Sequence, residues 1–139
     1  VLKENQRRLK LDWVEIVKGD ARKAPYVFKD RTFDAILLDV PCLNTGVLKR
    51  RADARWRVDE ERMGSIVELQ NAILTACSRL LKEKGRIVYS TCSLEPEENE
   101  DLVTKWVRDN PDFRLVKTGK AFPPDSGTDG AFAALLRKK

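Results

Sequence analysis

Two apolar runs on either side of a long amphipathic segment restrict the fold of this chain most. Residues 33–38 are almost continuously apolar, which suits a parallel strand that is covered on both faces. Residues 65–84 carry apolar side chains at helical spacing, and Gly85 is placed to end that helix. Residues 86–90 form the second apolar run and predict a second strand. Because such crossovers are right-handed and commonly join neighbouring strands, the pattern predicts an α/β fold with a parallel strand pair.

The N-terminal segment predicts a helix end and one more strand. Residues 1–12 have the pattern of the end of a helix. Residues 13–17 alternate as a half-buried strand does, and Gly19-Asp20 then form a turn. Asp20 would lie at a strand end, although a plain turn aspartate is the simpler interpretation on local grounds.

The C-terminal segment predicts a helix followed by a strand pair. A helix is expected from Pro96 to about Asp109, and Asn110-Pro111 end it. Residues 113–116 and 131–136 predict two short strands, joined by the loop 122–130, which is rich in Pro, Gly and Asp. We expect these strands to form an antiparallel pair at the edge of the sheet.

The composition limits the kind of protein and the chemistry open to it. A chain of 139 residues makes one domain at most, and no apolar run approaches the ~20 residues that span a bilayer. Three cysteines without paired spacing argue against a disulfide framework and a zinc site, and they favour a reducing, cytoplasmic setting. The chain has no histidine, so acid–base chemistry falls to carboxylates, thiols, lysines or water.

Two cysteines and an aspartate follow the paired strands. Asp39 ends the first strand and Cys42 lies in the loop beyond it, while Cys92 lies in the bend after the second strand. Because the predicted crossover joins neighbouring parallel strands, we expect the two thiols to face each other at the strand ends, with Asp39 beside them. Ligands of open α/β sheets bind at these carboxyl ends of strands. The alternative for Cys92 is a small buried residue that fills a turn. Cys77 lies on the apolar stripe of the central helix, so we interpret it as part of the core.

A basic segment lies between the first strand and the central helix. The net charge of +5 favours a polyanionic partner only weakly. Within residues 49–62, cations interleaved with an aromatic ring are suited to grip a phosphate backbone and to stack a base. The alternative is a solvated loop whose charge is balanced by nearby carboxylates. The basic and aromatic residues are Lys49, Arg50, Arg51, Arg55, Trp56, Arg57 and Arg62.

The motifs around the thiols resemble the RNA cytosine-5 methyltransferases of the Nol1/Nop2/Sun family. The resemblance covers nearly the whole chain from about Glu4 and favours an RNA substrate, because cytosine-5 DNA methyltransferases share the Pro-Cys but lack the Thr-Cys motif. The matching segments are Asp39-Val40-Pro41-Cys42, Thr45-Gly46, Leu69-Gln70, Ser90-Thr91-Cys92-Ser93, Pro96-Glu97-Glu98-Asn99-Glu100 and Asp129-Gly130-Ala131-Phe132-Ala133-Ala134.

This resemblance implies a mechanism and a role for each site residue. Cys92 would attack C6 of a flipped-out cytosine in rRNA or tRNA, so that C5 takes the methyl group of S-adenosylmethionine. Cys42 would assist product release by helping to remove the C5 proton. Asp39 would hold the base near N3, close to the cofactor, and Asp20 would bind the cofactor's adenine. The dipoles of the helix after Cys92 would favour its thiolate.

The implied architecture is the C-terminal portion of a Rossmann-like methyltransferase domain. The glycine-rich cofactor loop, the first strands and an RNA-binding domain are expected upstream of Val1. We therefore expect this chain alone to be inactive, to bind S-adenosylmethionine weakly and to self-associate through unpaired strand edges. Leu43-Asn44 stands where the family usually has Ser-Gly, a change expected to stiffen the loop, and Ala52 replaces a frequent proline. The competing functions are a non-catalytic RNA-binding or assembly module and a DNA methyltransferase with Cys42 as nucleophile.

Overall fold

The computed structural model describes residues 1–29, 31–57 and 59–139, without the side chains of Ala54 and Arg57. The α-helices of these residues are α1 (Leu2–Arg8), α2 (Ala24–Phe28), α3 (Glu60–Ser78), α4 (Glu100–Asp109) and α5 (Pro123–Ser126). The strands are β1 (Phe33–Asp39), β2 (Leu81–Thr91), β3 (Phe113–Ala121) and β4 (Ala131–Lys138). Short 3₁₀ turns occupy Ala21–Lys23, Thr45–Val47, Ala52–Arg57 and Pro96–Glu98.

The strands form one mixed sheet in the order β1-β2-β4-β3. β1 and β2 are parallel, and Asp39 is aligned with Ser90 at their carboxyl ends. β4 runs antiparallel to both of its neighbours, so β3 and β4 form the predicted antiparallel pair at the edge. The sheet therefore confirms the predicted strand–helix–strand unit, with α3 as its crossover helix.

The core lies between one face of the sheet and helices α3 and α4. Alternate side chains of β2 and β4 point into it, among them Ile87, Tyr89 and Leu136, each with no exposed surface. Trp106 of α4 is 2% exposed, and its indole N–H donates to Thr75 Oγ1 of α3 at 2.9 Å. Since a buried indole N–H needs a partner, this bond fixes how the two helices meet.

The prediction that both faces of the first strand are covered is wrong for this chain. Leu38 is 8% exposed, but its neighbour Leu37 is 71% exposed. The two side chains point to opposite faces of the sheet, and α3 and α4 cover only one of them. A continuous apolar run does not by itself tell how many layers cover a strand.

The predicted strand at residues 13–17 is not present. Within residues 1–29 the structure has no strand, and Trp13 is 84% exposed. The segment is held by side chains instead: Gln6 Nε2 donates to the carbonyls of Leu11 and Val14, and Glu15 pairs with Arg31 at 2.7 Å. Alternation of apolar residues marks a face, but a strand also needs a neighbour for its backbone groups.

The central helix is shifted toward the N-terminus relative to the prediction of residues 65–84. α3 begins after Asp59, whose carboxylate accepts from the Arg62 N–H at 2.7 Å as an N-cap, and it ends at Ser78. Gly85 therefore does not end the helix but lies within β2. A β-carbon at Gly85 would come 2.7 Å from Leu81 Cγ, and Lys84 before it has φ 61° at an irregularity of the β1–β2 register.

The remaining elements keep their predicted type with different bounds. The N-terminal helix ends at Arg8, and the predicted helix from Pro96 is a 3₁₀ turn followed by α4. Both C-terminal strands are longer than the predicted residues 113–116 and 131–136. The loop between them contains the short helix α5.

Candidate active site

The two thiols meet at the carboxyl ends of the parallel strands. The loop after β1 carries Cys42, and the bend after β2 carries Cys92. Their sulfur atoms lie 3.1 Å apart, and both residues are half-buried. The predicted juxtaposition of Cys42 and Cys92 is therefore present.

Asn44 connects the two thiol loops. Its Nδ2 donates to the Cys42 carbonyl at 2.8 Å, and its Oδ1 accepts from the Cys92 thiol at 3.1 Å. Asn44 has φ 63°, a left-handed conformation that asparagine adopts more readily than most residues. Asn44 stands where the family usually has glycine. Its side chain contacts both cysteines, and a glycine would make neither contact.

Burial determines the protonation of Cys42. Burial and then the hydrogen bond with Cys92 raise the pKa of the Cys42 thiol to about 12, from a usual 9.0. Cys42 is therefore a neutral thiol near pH 7, and it can donate its hydrogen to the Cys92 sulfur. Cys92 in turn donates to Asn44, so the contacts form a chain of donors from Cys42 to Asn44.

A buried carboxylate, Glu98, holds both loops from behind. It has no exposed surface, and it accepts from the Leu43 N–H at 3.1 Å, from Gln70 Nε2 at 2.7 Å and from Ser93 Oγ at 2.5 Å. Gln70 Nε2 also donates to the Pro41 carbonyl at 2.9 Å. The sequence interpretation missed Glu98 because acidic residues at a helix start are usually exposed partners of the helix dipole.

Two Gly-containing motifs meet beside Cys92. The Gly46 N–H donates to the Cys92 carbonyl at 3.0 Å, and the Gly130 N–H donates to the Gly46 carbonyl at 2.7 Å. A β-carbon at Gly46 would lie 2.5 Å from Gly130 O and 2.8 Å from Cys92 O. Only glycine fits this close approach, which brings the Thr45-Gly46 and Asp129-Gly130 motifs to the site.

The polar residues next to Cys92 fix the bend itself. Thr91 Oγ1 donates to Asn99 Oδ1 at 2.6 Å, and Asn99 Nδ2 donates to the Ser93 carbonyl at 3.0 Å. Ser93 Oγ lies 3.1 Å from Thr45 Oγ1, which accepts from the Leu94 N–H. These residues are buried, so each of their polar groups needs such a partner.

Asp39 lies at the open edge of the site. It ends β1 and lines a cavity of about 410 Å³ together with Cys92 and Phe132. Its side chain is exposed and makes no hydrogen bond or ion pair with the rest of the described chain. A carboxylate without a protein partner beside a thiol is free to bind a ligand.

Asp20 does not lie at a strand end as predicted, because no strand precedes it. It caps the 3₁₀ turn Ala21–Lys23, and Arg22 donates to both of its oxygens. This hydrogen bond lowers the pKa of the Asp20 carboxyl to about 2.

Asp20 borders a small apolar cavity. The carboxylate lies at a cavity of about 200 Å³ with apolar walls that include Val17, Val27 and Phe28. Apolar walls suit the faces of a ring, and an ionised carboxylate accepts from an exocyclic amine. Asp20 and Asp39 line different cavities.

The basic segment lies on the surface next to the site. Trp56 is 86% exposed, and Arg50 pairs with Asp129 at 2.8 Å. A cavity of about 740 Å³ extends from Gly46 past Arg50 to Phe122. The other exposed cations of the segment are Lys49, Arg51, Arg55 and Arg62, and the predicted role of the Arg57 side chain lies outside the described residues.

Cys77 lies apart from the two paired thiols, on the wall of the cavity beside Asp20. It is 7% exposed on the buried face of α3, and burial raises the pKa of its thiol. The interpretation of Cys77 as part of the core is confirmed.

Comparison with known proteins identifies close relatives of the chain. It matches the family model described as 16S rRNA methyltransferase RsmB/F over residues 1–137. It is 37% identical to the ribosomal RNA small subunit methyltransferase B of Vibrio cholerae, over 99% of this chain and 33% of that protein. The probable ribosomal RNA small subunit methyltransferase B of Bacillus subtilis is 33% identical, over 100% of this chain and 35% of that protein. The chain thus spans about a third of the length of the curated relatives it matches.

A solved structure supports the fold and the cofactor. The structure described as NSun6 from Pyrococcus horikoshii with SFG has a TM-score of 0.85 and 32% identity, over 98% of this chain and 37% of that one. SFG is an analogue of S-adenosylmethionine, so this neighbour and the family match support S-adenosylmethionine as the cofactor. The predicted methyltransferase fold and the resemblance to the Nol1/Nop2/Sun family are confirmed. Among the described residues, no helix has the length and apolar character needed to cross a membrane.

Proposed function

We propose a function from one premise: the chain belongs to the 16S rRNA methyltransferase RsmB/F family. The protein that contains it methylates C5 of a cytosine in rRNA or tRNA, with S-adenosylmethionine as methyl donor. We place this activity in the cytoplasm, where thiols such as these stay free. The observation that carries the proposal is the pair of free thiols whose sulfurs lie 3.1 Å apart at the strand ends.

Cys92 is the nucleophile of the proposed reaction. Its sulfur forms a bond to C6 of the cytosine, which places electron density on C5. S-adenosylmethionine, when bound, would supply an electrophilic methyl group to C5 and leave as S-adenosylhomocysteine. Before attack, the Cys92 sulfur is held at the strand ends by contacts of 3.1 Å with the Cys42 sulfur and with Asn44 Oδ1.

Cys42 acts in the release of the product. After methylation, C5 loses its proton and the bond between Cys92 and C6 breaks, which restores the aromatic ring. Cys42 is a neutral thiol near pH 7, so it assists the passage of the C5 proton to solvent and does not itself hold that proton. Its sulfur lies next to that of Cys92, which supports this role.

The two aspartates and the basic segment bind the substrates. Asp39, whose carboxylate has no partner among the described residues, holds the cytosine near N3. Asp20 holds the adenine of the cofactor at its apolar cavity. The RNA backbone contacts an exposed set of cations with a stacking ring, namely Lys49, Arg50, Arg51, Arg55 and Trp56.

The 139-residue chain is one portion of this catalytic machinery. It spans about a third of its curated relatives, and its two candidate cofactor contacts line separate cavities. We therefore expect the chain alone to bind S-adenosylmethionine weakly and to be inactive. The outer edge of β1 has no partner strand in the described sheet, and Leu37 is 71% exposed, which supports self-association through β1.

Methyl transfer by the natural protein to a cytosine-containing RNA tests the proposal. Cys92→Ala should abolish transfer from labelled S-adenosylmethionine while RNA binding is retained. If the wild-type protein binds RNA but transfers no methyl group, the chain is an RNA-binding or assembly module. If DNA of matched sequence is the better substrate, the chain belongs to a DNA-directed enzyme.

A further inference from the structure

The Glu98 carboxylate is buried without a positive charge beside it. It has no exposed surface, and no lysine or arginine among the described residues contacts it. Its hydrogen bonds come from neutral donors, and its backbone carbonyl accepts from the Tyr89 hydroxyl at 2.7 Å. Burying a carboxylate is costly unless hydrogen bonds replace its hydration, so these donors are what hold it there.

Two of the three donors to Glu98 belong to the thiol loops, and the third lies on α3. Leu43 directly follows Cys42, and Ser93 directly follows Cys92. The third donor, Gln70, also binds the carbonyl of Pro41, which directly precedes Cys42. One carboxylate therefore ties the backbone on both sides of Cys42 to the residue after Cys92.

Three donors converge on this side chain, and a carboxylate is the group that accepts all of them. An ionised glutamate has acceptor oxygens only, with about four lone-pair sites. A glutamine in the same place presents one oxygen and an amide N–H₂ group, which would face a donor. Glutamate, unlike its neutral isostere glutamine, can therefore accept from all three of the donors that surround it.

We propose that Glu98 is a positioning residue that sets the separation of the Cys42 and Cys92 sulfur atoms. The roles given to the two thiols rest on the proposed function, but the geometry of the pair does not. The nucleophile and the group that assists proton removal must act on neighbouring atoms, C6 and C5, of one ring, so displacement of either loop separates the two steps. A shift of ~1 Å at a reacting group can slow a reaction about 100-fold.

The rate of disulfide formation between Cys42 and Cys92 measures their separation without RNA or cofactor. Diamide is the oxidant: each thiol loses its hydrogen, the sulfurs bond, and the N=N group of diamide takes both hydrogens to become a hydrazine. With Cys77→Ala as background, the product is identified by the loss of two hydrogens in mass. The matched control is Glu97→Ala, an exposed glutamate next to Glu98.

We expect Glu98→Ala to slow disulfide formation about tenfold and Glu98→Gln to slow it less, because Gln keeps one acceptor. Glu97→Ala should react at the rate of the parent chain. Leu136→Ala removes a fully buried side chain that is aligned with Ile87, away from the thiol ends of the strands. It should lower the melting temperature and leave the oxidation rate unchanged, which separates positioning from stability.

An oxidation rate for folded Glu98→Ala equal to that of the parent would overturn the proposal. The proposal would also be overturned if Leu136→Ala slowed disulfide formation as much as Glu98→Ala does, for the same loss of melting temperature. If Glu98→Ala does not fold, the test rests on Glu98→Gln. Disulfide formation in Glu98→Gln at the rate of the parent chain would then contradict the proposal. Because the assay needs no RNA, these outcomes leave the proposed methyl transfer untouched, and a failure of methyl transfer leaves them untouched in turn.

Discussion

The sulfur atoms of Cys42 and Cys92 lie 3.1 Å apart, although the two residues are separated by 50 positions in the sequence. The parallel pairing of β1 and β2 brings their loops to the same edge of the sheet. Asn44 contacts both cysteines and Glu98 binds the residues that follow them. The pair is therefore a product of the topology, made rigid by a few buried polar groups.

The raised pKa of Cys42 predicts a loss of folding stability at alkaline pH. The folded pKa is about 12 and the usual value is 9.0, so the unfolded chain releases this proton first as the pH rises. The contribution of the thiol to stability is complete below about pH 9 and disappears progressively toward about pH 12. Cys42→Ser removes this titration, so its melting temperature should fall less than that of the wild type between about pH 8 and about pH 10.5. Parallel curves for the two proteins would contradict the assignment.

Gly46→Ala should destabilise the chain through a clash of backbones. The new methyl group would lie 2.5 Å from the Gly130 carbonyl oxygen and cannot be relieved by a side-chain rotation. We expect a cost of about 1–3 kcal/mol in the free energy of unfolding, measured by denaturant titration.

The matched control for this substitution is Gly64→Ala. Gly64 lies inside α3, and its added β-carbon has no neighbour within 4 Å. Because alanine favours helix over glycine by about 1 kcal/mol, this variant should be slightly more stable than the wild type. Equal effects of the two substitutions would show that the contact between Gly46 and Gly130 is unimportant.

The basic segment should contact RNA mainly through phosphates. Charge reversal at Arg50 and Arg51 in the natural protein should weaken binding across RNA sequences and flatten its dependence on salt. Arg108→Glu reverses an exposed cation of α4 and serves as control. Binding is measured by fluorescence anisotropy over a range of salt concentrations. An unchanged salt slope would identify residues 49–62 as a solvated loop.

Asp20→Ala should weaken cofactor binding in the natural protein. We expect about a tenfold rise in the Kd for S-adenosylmethionine in calorimetric titration, as for the loss of a hydrogen bond to a charged group. Asp34→Ala removes an exposed carboxylate that pairs with Lys82 instead, and it should leave the Kd unchanged. An equal effect of both variants would remove Asp20 from the cofactor site.

The sequence predicts the parts of this fold that depend on local pattern and chain topology. The apolar runs at 33–38 and 86–90 identify the parallel pair, and the crossover between them places Cys42 beside Cys92. Bounds are harder to predict, because the apolar pattern of α3 continues through Leu80 while the helix itself ends at Ser78. The prediction of a strand at 13–17 is wrong for a related reason. A strand must pair with a neighbouring strand, and the local sequence pattern does not show whether such a neighbour is present.

The support of the site is the part that sequence patterns leave undetermined. Glu98 is one of several glutamates in an acidic turn, and nothing local distinguishes it from the exposed Glu97. Its burial follows from the donors that the loops of Leu43 and Ser93 bring to it. The requirement for glycine at position 46 likewise arises from the distant Gly130.

The division of labour between Cys92 and Cys42 is the central claim, and trapping of a covalent RNA adduct tests it most directly. In the natural protein, Cys42→Ala should still allow attack and methyl transfer but stall before release, so RNA stays attached through Cys92 and survives denaturing electrophoresis. Cys92→Ala should give neither adduct nor methylated RNA, and Cys77→Ala should keep the activity with a modest loss of stability. An adduct that is kept in Cys92→Ala and lost in Cys42→Ala would contradict the account and identify Cys42 as the nucleophile.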